Sequence, residues 1–65
     1  MLTEVDIEAR IEAGRSAAES AAAHGPIEHK PFGQTSPVIY PYTYWYVYGY
    51  NQYVDEVNGA GGSEE

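Results

Sequence analysis

The sequence predicts an all-α fold: a two-helix hairpin over about residues 4–23 and 42–57, joined by a proline-rich connector. Three observations lead to it. One segment carries helix start and stop signals at its two ends. A second carries aromatic residues at spacings of three and four. The stretch between them holds all four prolines.

The first helix is read from "TEVDIEARIEAGRSAAESAAAH", residues 3–24. Thr3 and Asp6 have the spacing of a capping box, in which each side chain satisfies a free amide of the first turn. Glu4, Asp6 and Glu8 stand where the positive end of the helix dipole favours negative charge. Asp6 and Arg10 are placed for an i,i+4 ion pair. Ile7, Ile11, Gly14, Ala18 and Ala21 recur at threes and fours and so share one stripe. That stripe is bulky at its start (Val5, Ile7, Ile11) and small at its end (Gly14, Ala17, Ala18, Ala21, Ala22), which leaves room for large side chains from another element. Gly25, able to adopt a left-handed conformation, and Pro26, unable to continue a helix, supply the stop.

Residues 25–41, "GPIEHKPFGQTSPVIYP", form the connector. Proline fixes its own φ and pushes its predecessor to extended conformations, so no regular element is expected there. Ile27, Phe32, Val38 and Ile39 are its candidate anchors to the core. Residues 1–57 then make one small helical domain, and residues 58–65, "NGAGGSEE", read as a flexible Gly/Glu tail.

The stretch "YPYTYWYVYGYNQY", residues 40–53, puts tyrosine at every second position from Tyr40 to Tyr50. Alternation of tyrosine with Thr, Trp and Val suits a strand. A different subset, Tyr46, Gly49, Tyr50, Tyr53, Val54 and Val57, has helical spacing and continues past the point where alternation stops. A lone strand would have no edge to pair with. The residues by themselves leave both readings open.

A resemblance decides between them. Gly14 and Ala17 in "EAGRSAAES", Pro31 and Phe32 in "KPFG", and Tyr46, Gly49 and Tyr50 in "YVYGYNQYVDE" resemble the pattern of the ribosome modulation factor / CrpP family of very small proteins. The likeness spans about residues 10–56. It departs at Lys30, which precedes Pro31 where Asn or Cys is usual, in longer connectors, and at Trp45, one position from the expected aromatic. The resemblance implies a second helix over about residues 42–57, begun by Pro41 in its first turn. It also implies helix–helix contact through Gly14, Ala17, Ala18, Ala21, Tyr46, Gly49, Tyr50 and Tyr53, with Gly49 admitting close approach where rings crowd.

Sixty-five residues cannot build a large core, so association with a partner or a second copy is expected. There is no cysteine to form a disulfide. Ten acidic residues against three basic ones give a formal charge of −7, which disfavours nucleic-acid backbone and anionic membrane surfaces. No stretch approaches the ~20 apolar residues of a membrane span. The first residues lack the pattern of a signal peptide, so a soluble cytoplasmic protein is expected.

Catalytic constellations are missing: no cysteine nucleophile, no phosphate loop, no serine linked to a base. His24, Glu28 and His29 straddle the expected helix end and make a weak ligand set, so no metal or other cofactor is expected. The functional lead is aromatic. Seven tyrosines and one tryptophan exceed what one helix face can bury. Tyr42, Tyr44, Trp45 and Tyr48 lie off the stripe and are the candidate partner-binding residues, since such rings give large contact area with few rotors.

The expected function is a small acidic, non-enzymatic protein that binds another protein through its Tyr/Trp-rich helix. The resemblance implies three further things: an origin in phage or mobile elements, with modulation of a host protein; a ribosome-binding hibernation role; or a CrpP-like ATP-dependent modification of an antibiotic, with Lys30 as the phosphate contact. The charge weighs against the second, and the lack of a concave site against the third.

Overall fold

The computed structural model of the chain describes residues 2–59. Two helices, α1 (Glu4–Ala22) and α2 (Pro41–Val57), make an all-α fold with no strand among those residues. Residues 60–65 of the expected tail lie outside the described residues.

The start of α1 is a reciprocal capping box. The Asp6 amide donates to Thr3 Oγ1 and the Thr3 amide donates to Asp6 Oδ2, each at 3.2 Å. With Asp6 so engaged, the expected Asp6–Arg10 pair does not form; the Arg10 guanidinium lies over the Tyr42 ring instead, 5.0 Å from its centroid. At the other end Ala23 caps the helix, and Gly25 follows at φ +153°. That positive φ is one that residues with a side chain rarely adopt, and it lies far from the φ of about +57° of the left-handed turn the sequence suggested.

Pro41 begins α2, where its missing N–H costs no helical hydrogen bond, and the Tyr44 amide closes the first turn on the Tyr40 carbonyl at 2.9 Å. The alternating tyrosines therefore spiral around a helix. The reason lies in how α2 meets α1. A Cβ added to Gly14 would overlap the Tyr46 carbonyl oxygen and come within 2.8 Å of the Tyr50 nitrogen. A Cβ added to Gly49 would overlap the Ile11 carbonyl oxygen and come within 2.8 Å of the Ile11 carbonyl carbon. Each glycine is thus seated against the other helix's backbone, the close approach expected at Gly49. Close approach of this kind brings Cα–H groups up to carbonyl oxygens.

Beyond the crossing, the small stripe of α1 receives the larger residues of α2. Ala18 is fully buried with Tyr50 and Val54, and Ala17, Ala21, Ile27 and Tyr53 pack around them. Burying a side chain such as Val54 is worth about 1.5–3 kcal/mol. Val47, seven residues before Val54, is buried too. Two expected connector anchors, Val38 and Ile39, are not, at 84% and 64% exposed, nor is Val5 of the expected stripe, at 72%. Val5 lies two residues before Ile7, which at 100° per residue turns it away from the stripe. Val38 and Ile39 sit in a turn pinned by Ser36 Oγ, which accepts both of their amides at 3.2 and 2.8 Å.

The sense of packing follows from the pairs in contact. Arg10 meets Tyr42, Ile11 meets Gly49, Gly14 meets Tyr46 and Tyr50, and Arg15 meets Tyr53 and Glu56. The partners advance together, so the helices run in the same direction. The reversal of the chain is made by the connector, which descends along α2. Asn58 Nδ2 donates to the Ile27 carbonyl (3.2 Å), and His29 Nε2 meets Asp55 Oδ1 (2.5 Å). The Asn51 carboxamide accepts the Lys30 amide (2.7 Å) and donates to the Lys30 carbonyl (3.0 Å). Phe32 then packs on the Tyr44 ring at 4.9 Å. Asn51, Asp55 and Asn58 are four and three residues apart and form one polar edge of α2 that holds the return limb.

The glycine crossing makes a direct prediction. Gly14→Ala and Gly49→Ala, changes that raise helix propensity in an open site, will each destabilise by about 1–3 kcal/mol or more through forced separation of the backbones. Thermal melts followed by circular dichroism, with exposed Ala13→Ser as the control, measure it; variants that melt at or above the parent would contradict the crossing.

Candidate partner-binding surface

The four rings expected to face a partner divide into two groups. Tyr44, Trp45 and Tyr48 form a continuous run with Phe32: Tyr44 and Trp45 meet edge to face at 4.9 Å, and Trp45 and Tyr48 at 5.3 Å. Edge-to-face contacts suit the quadrupoles of the rings and hold them in fixed mutual orientation. All three are half-buried. Tyr42 stands apart, 53% exposed beneath Arg10.

Trp45 also lines an open groove of about 470 Å³ with Leu2, Ile7, Pro37, Val38 and Pro41. The parallel sense of the helices brings these residues together: both helix starts and the end of the connector meet at one end of the molecule. A second depression, about 350 Å³, runs from Ile39 to Thr43 beside it. Tyr40, Val38 and Ile39 are exposed here along with Tyr42. The apolar run "PVIY" between Pro37 and Pro41 was available as a sequence signal, because a segment barred from regular structure by two prolines has no ladder or helix face through which to bury it.

The chain's three Lys and Arg side chains each lie over a tyrosine. Arg10 covers Tyr42, Arg15 lies 5.8 Å from the Tyr53 centroid, and the Lys30 ammonium lies 4.8 Å from that of Tyr50. Arg15 in addition makes a two-pronged ion pair with Glu56, Nη1 to Oε2 at 2.9 Å and Nη2 to Oε1 at 2.8 Å. The hydrogen bonds from Arg15 hold the Glu56 carboxyl below its ordinary range, and the same bonds hold the guanidinium above its own. His29 is drawn to Asp55, and among the described residues no three His, Asp or Glu side chains gather as ligands. No helix among the described residues is long and apolar enough to cross a membrane. No protein-family model, curated protein or solved structure matches the chain.

The remaining contact residues fall as follows. Gly14, Ala18, Gly49 and Tyr50 are buried at the helix contact, and Ala17, Ala21 and Tyr53 rim it; Tyr46 is half-buried and contributes its carbonyl to Gly14. Sequence reasoning missed the groove residues Leu2, Ile7, Pro37 and Pro41 as surface.

The Arg15–Glu56 pair predicts a small acid-sensitive contribution. Because the folded carboxyl sits below its unfolded value, the contribution is complete above the ordinary carboxylate range and is lost as pH falls through the lower folded value. Glu56→Gln will melt slightly below the parent at neutral pH, the difference being small because the pair is solvent-exposed, and will converge with it on acidification. A gap between the two melting curves that stays constant with pH would contradict a role for the charge.

Proposed function

We propose that the chain is a small acidic interaction protein that binds another protein through the aromatic run Tyr44, Trp45 and Tyr48 and the groove beside it. The observation that carries the reading is the contiguity of exposed apolar surface at one end of a domain whose buried hydrophobic core, among the described residues, is Ala18, Val47, Tyr50 and Val54. A chain with so little interior gains from covering Trp45, Val38 and Ile39, and clustered apolar surface of this kind marks interaction sites. The resemblance to the ribosome modulation factor / CrpP family gives this role a concrete form, a phage or mobile-element modulator of a host protein. A second copy of the chain is the other way to cover the surface.

Hibernation-factor activity is less well supported. It calls for cations free to meet RNA phosphate, whereas Arg10, Arg15 and Lys30 each lie over a different tyrosine. Antibiotic modification would need an enclosed site with a free Lys30, and both grooves are open.

Capture from a bacterial lysate tests the proposal. Trp45→Ala and Tyr48→Ala should each weaken retention of the partner by about 2 kcal/mol or more, roughly thirtyfold, with the helical circular dichroism signal kept. Retention equal to the parent in both variants would refute the aromatic surface. Ribosome co-sedimentation at physiological salt that vanishes when Arg10, Arg15 and Lys30 are neutralised would favour the hibernation role instead.

A further inference from the structure

The Arg15–Glu56 ion pair fixes one row of side chains on α1 beside one row on α2. On α2, Trp45, Tyr48, Gln52 and Glu56 are three, four and four residues apart and share one edge, with Gln52 Nε2 donating to Tyr48 Oη at 3.4 Å. On α1, Glu4, Glu8 and Glu12 follow one another at steps of four, and Glu19 continues the edge; all four are exposed. Arg15 lies on that same edge, close enough to Glu12 for the carboxylate to favour its charged form, and reaches across to Glu56. The acidic edge of α1 and the aromatic edge of α2 therefore flank one surface, open at its N-terminal end into the groove lined by Leu2, Ile7 and Trp45.

We infer that this groove takes a basic, arginine-rich amphipathic segment of another protein. The inference rests on the protein-binding role proposed above and names the partner's chemistry. Apolar side chains of such a segment fit the groove. Its guanidinium groups have planar faces for Trp45 and Tyr48 and a fork that matches the carboxylates of Glu4, Glu8 and Glu12. None of those carboxylates forms an ion pair among the described residues, since Arg15 is paired with Glu56 and Arg10 lies over Tyr42. Like charges at i,i+4 also strain α1 slightly, and a cationic occupant relieves this. A second copy brings the same glutamate row and another formal charge of −7, and so is opposed.

Trp45 is the chain's only tryptophan, which makes it a reporter at the groove. The full chain is titrated with tryptophan-free synthetic helical peptides that share one apolar face and carry Arg, Gln or Glu at their polar positions. The Arg peptide is expected to blue-shift Trp45 emission saturably, with affinity that falls as salt rises, and the Gln peptide to bind about tenfold more weakly or worse. The combined variant Glu4→Gln, Glu8→Gln, Glu12→Gln keeps the Thr3–Asp6 cap and the fold. It should lose about tenfold of the Arg-peptide affinity, the size that three exposed ion pairs give together. Equal binding of the Arg and Gln peptides, no response to the Arg peptide at low salt, or an unchanged affinity in the combined variant would overturn the inference. So would a Trp45 emission shift on dilution of the chain alone, with sedimentation as a dimer. A lysate partner that needs Trp45 and Tyr48 but is retained in full by the combined variant would leave the protein-binding role standing and remove only the basic partner.

Discussion

Backbone contact at Gly14 and Gly49 governs this small structure. Two helices whose main chains touch leave no space between them for large side chains, so the interior beyond the crossing is built on alanine, with Ala18 fully buried beneath Tyr50 and Val54. Apart from Tyr50, most of the aromatic content of α2 then lies outside that interior. Arg10 lies over Tyr42, and Lys30 over Tyr50. Tyr44, Trp45 and Tyr48 lean on one another and on Phe32 and stay half-exposed. Close approach and surplus aromatic surface are thus one constraint seen from two sides.

The return limb gives the second determinant. Because the connector runs back along the Asn51–Asp55–Asn58 edge, the two helices start at the same end of the molecule, and that end collects Leu2, Ile7, Pro41 and Trp45 with the turn at Ser36. Antiparallel helices would have scattered the same residues between two ends. Polar side chains on α2 therefore have an indirect part in shaping an apolar groove they do not touch.

Much of the fold was legible in the sequence because its signals are local. The Thr3–Asp6 box, Pro41 at a first turn and the small stripe from Gly14 to Ala21 each act within a few residues. Gly14, Tyr46 and Gly49 were legible as helix-contact residues; that Gly14 meets Tyr46 and Gly49 meets Ile11 on the main chain was not, because which atoms meet depends on the angle at which the helices cross. The Asp6–Arg10 pair and the anchoring of Val38 and Ile39 went the other way. A tertiary ring claimed Arg10, and a single serine hydroxyl set a turn that exposes both apolar residues. Of the candidate surface, Tyr44, Trp45 and Tyr48 could be named from their distance to the stripe. The groove could not, since it depends on the direction of the connector.

That direction is open to a single measurement. Nuclear Overhauser contacts in the uniformly labelled chain should link the Ile7 methyls to the Trp45 indole and the Gly49 Hα protons to Ile11 Hα, as parallel helices in backbone contact require. Contacts from Ile7 to Val57 instead, with none between Gly49 and Ile11, would place the helices antiparallel and contradict both the crossing and the groove built on it.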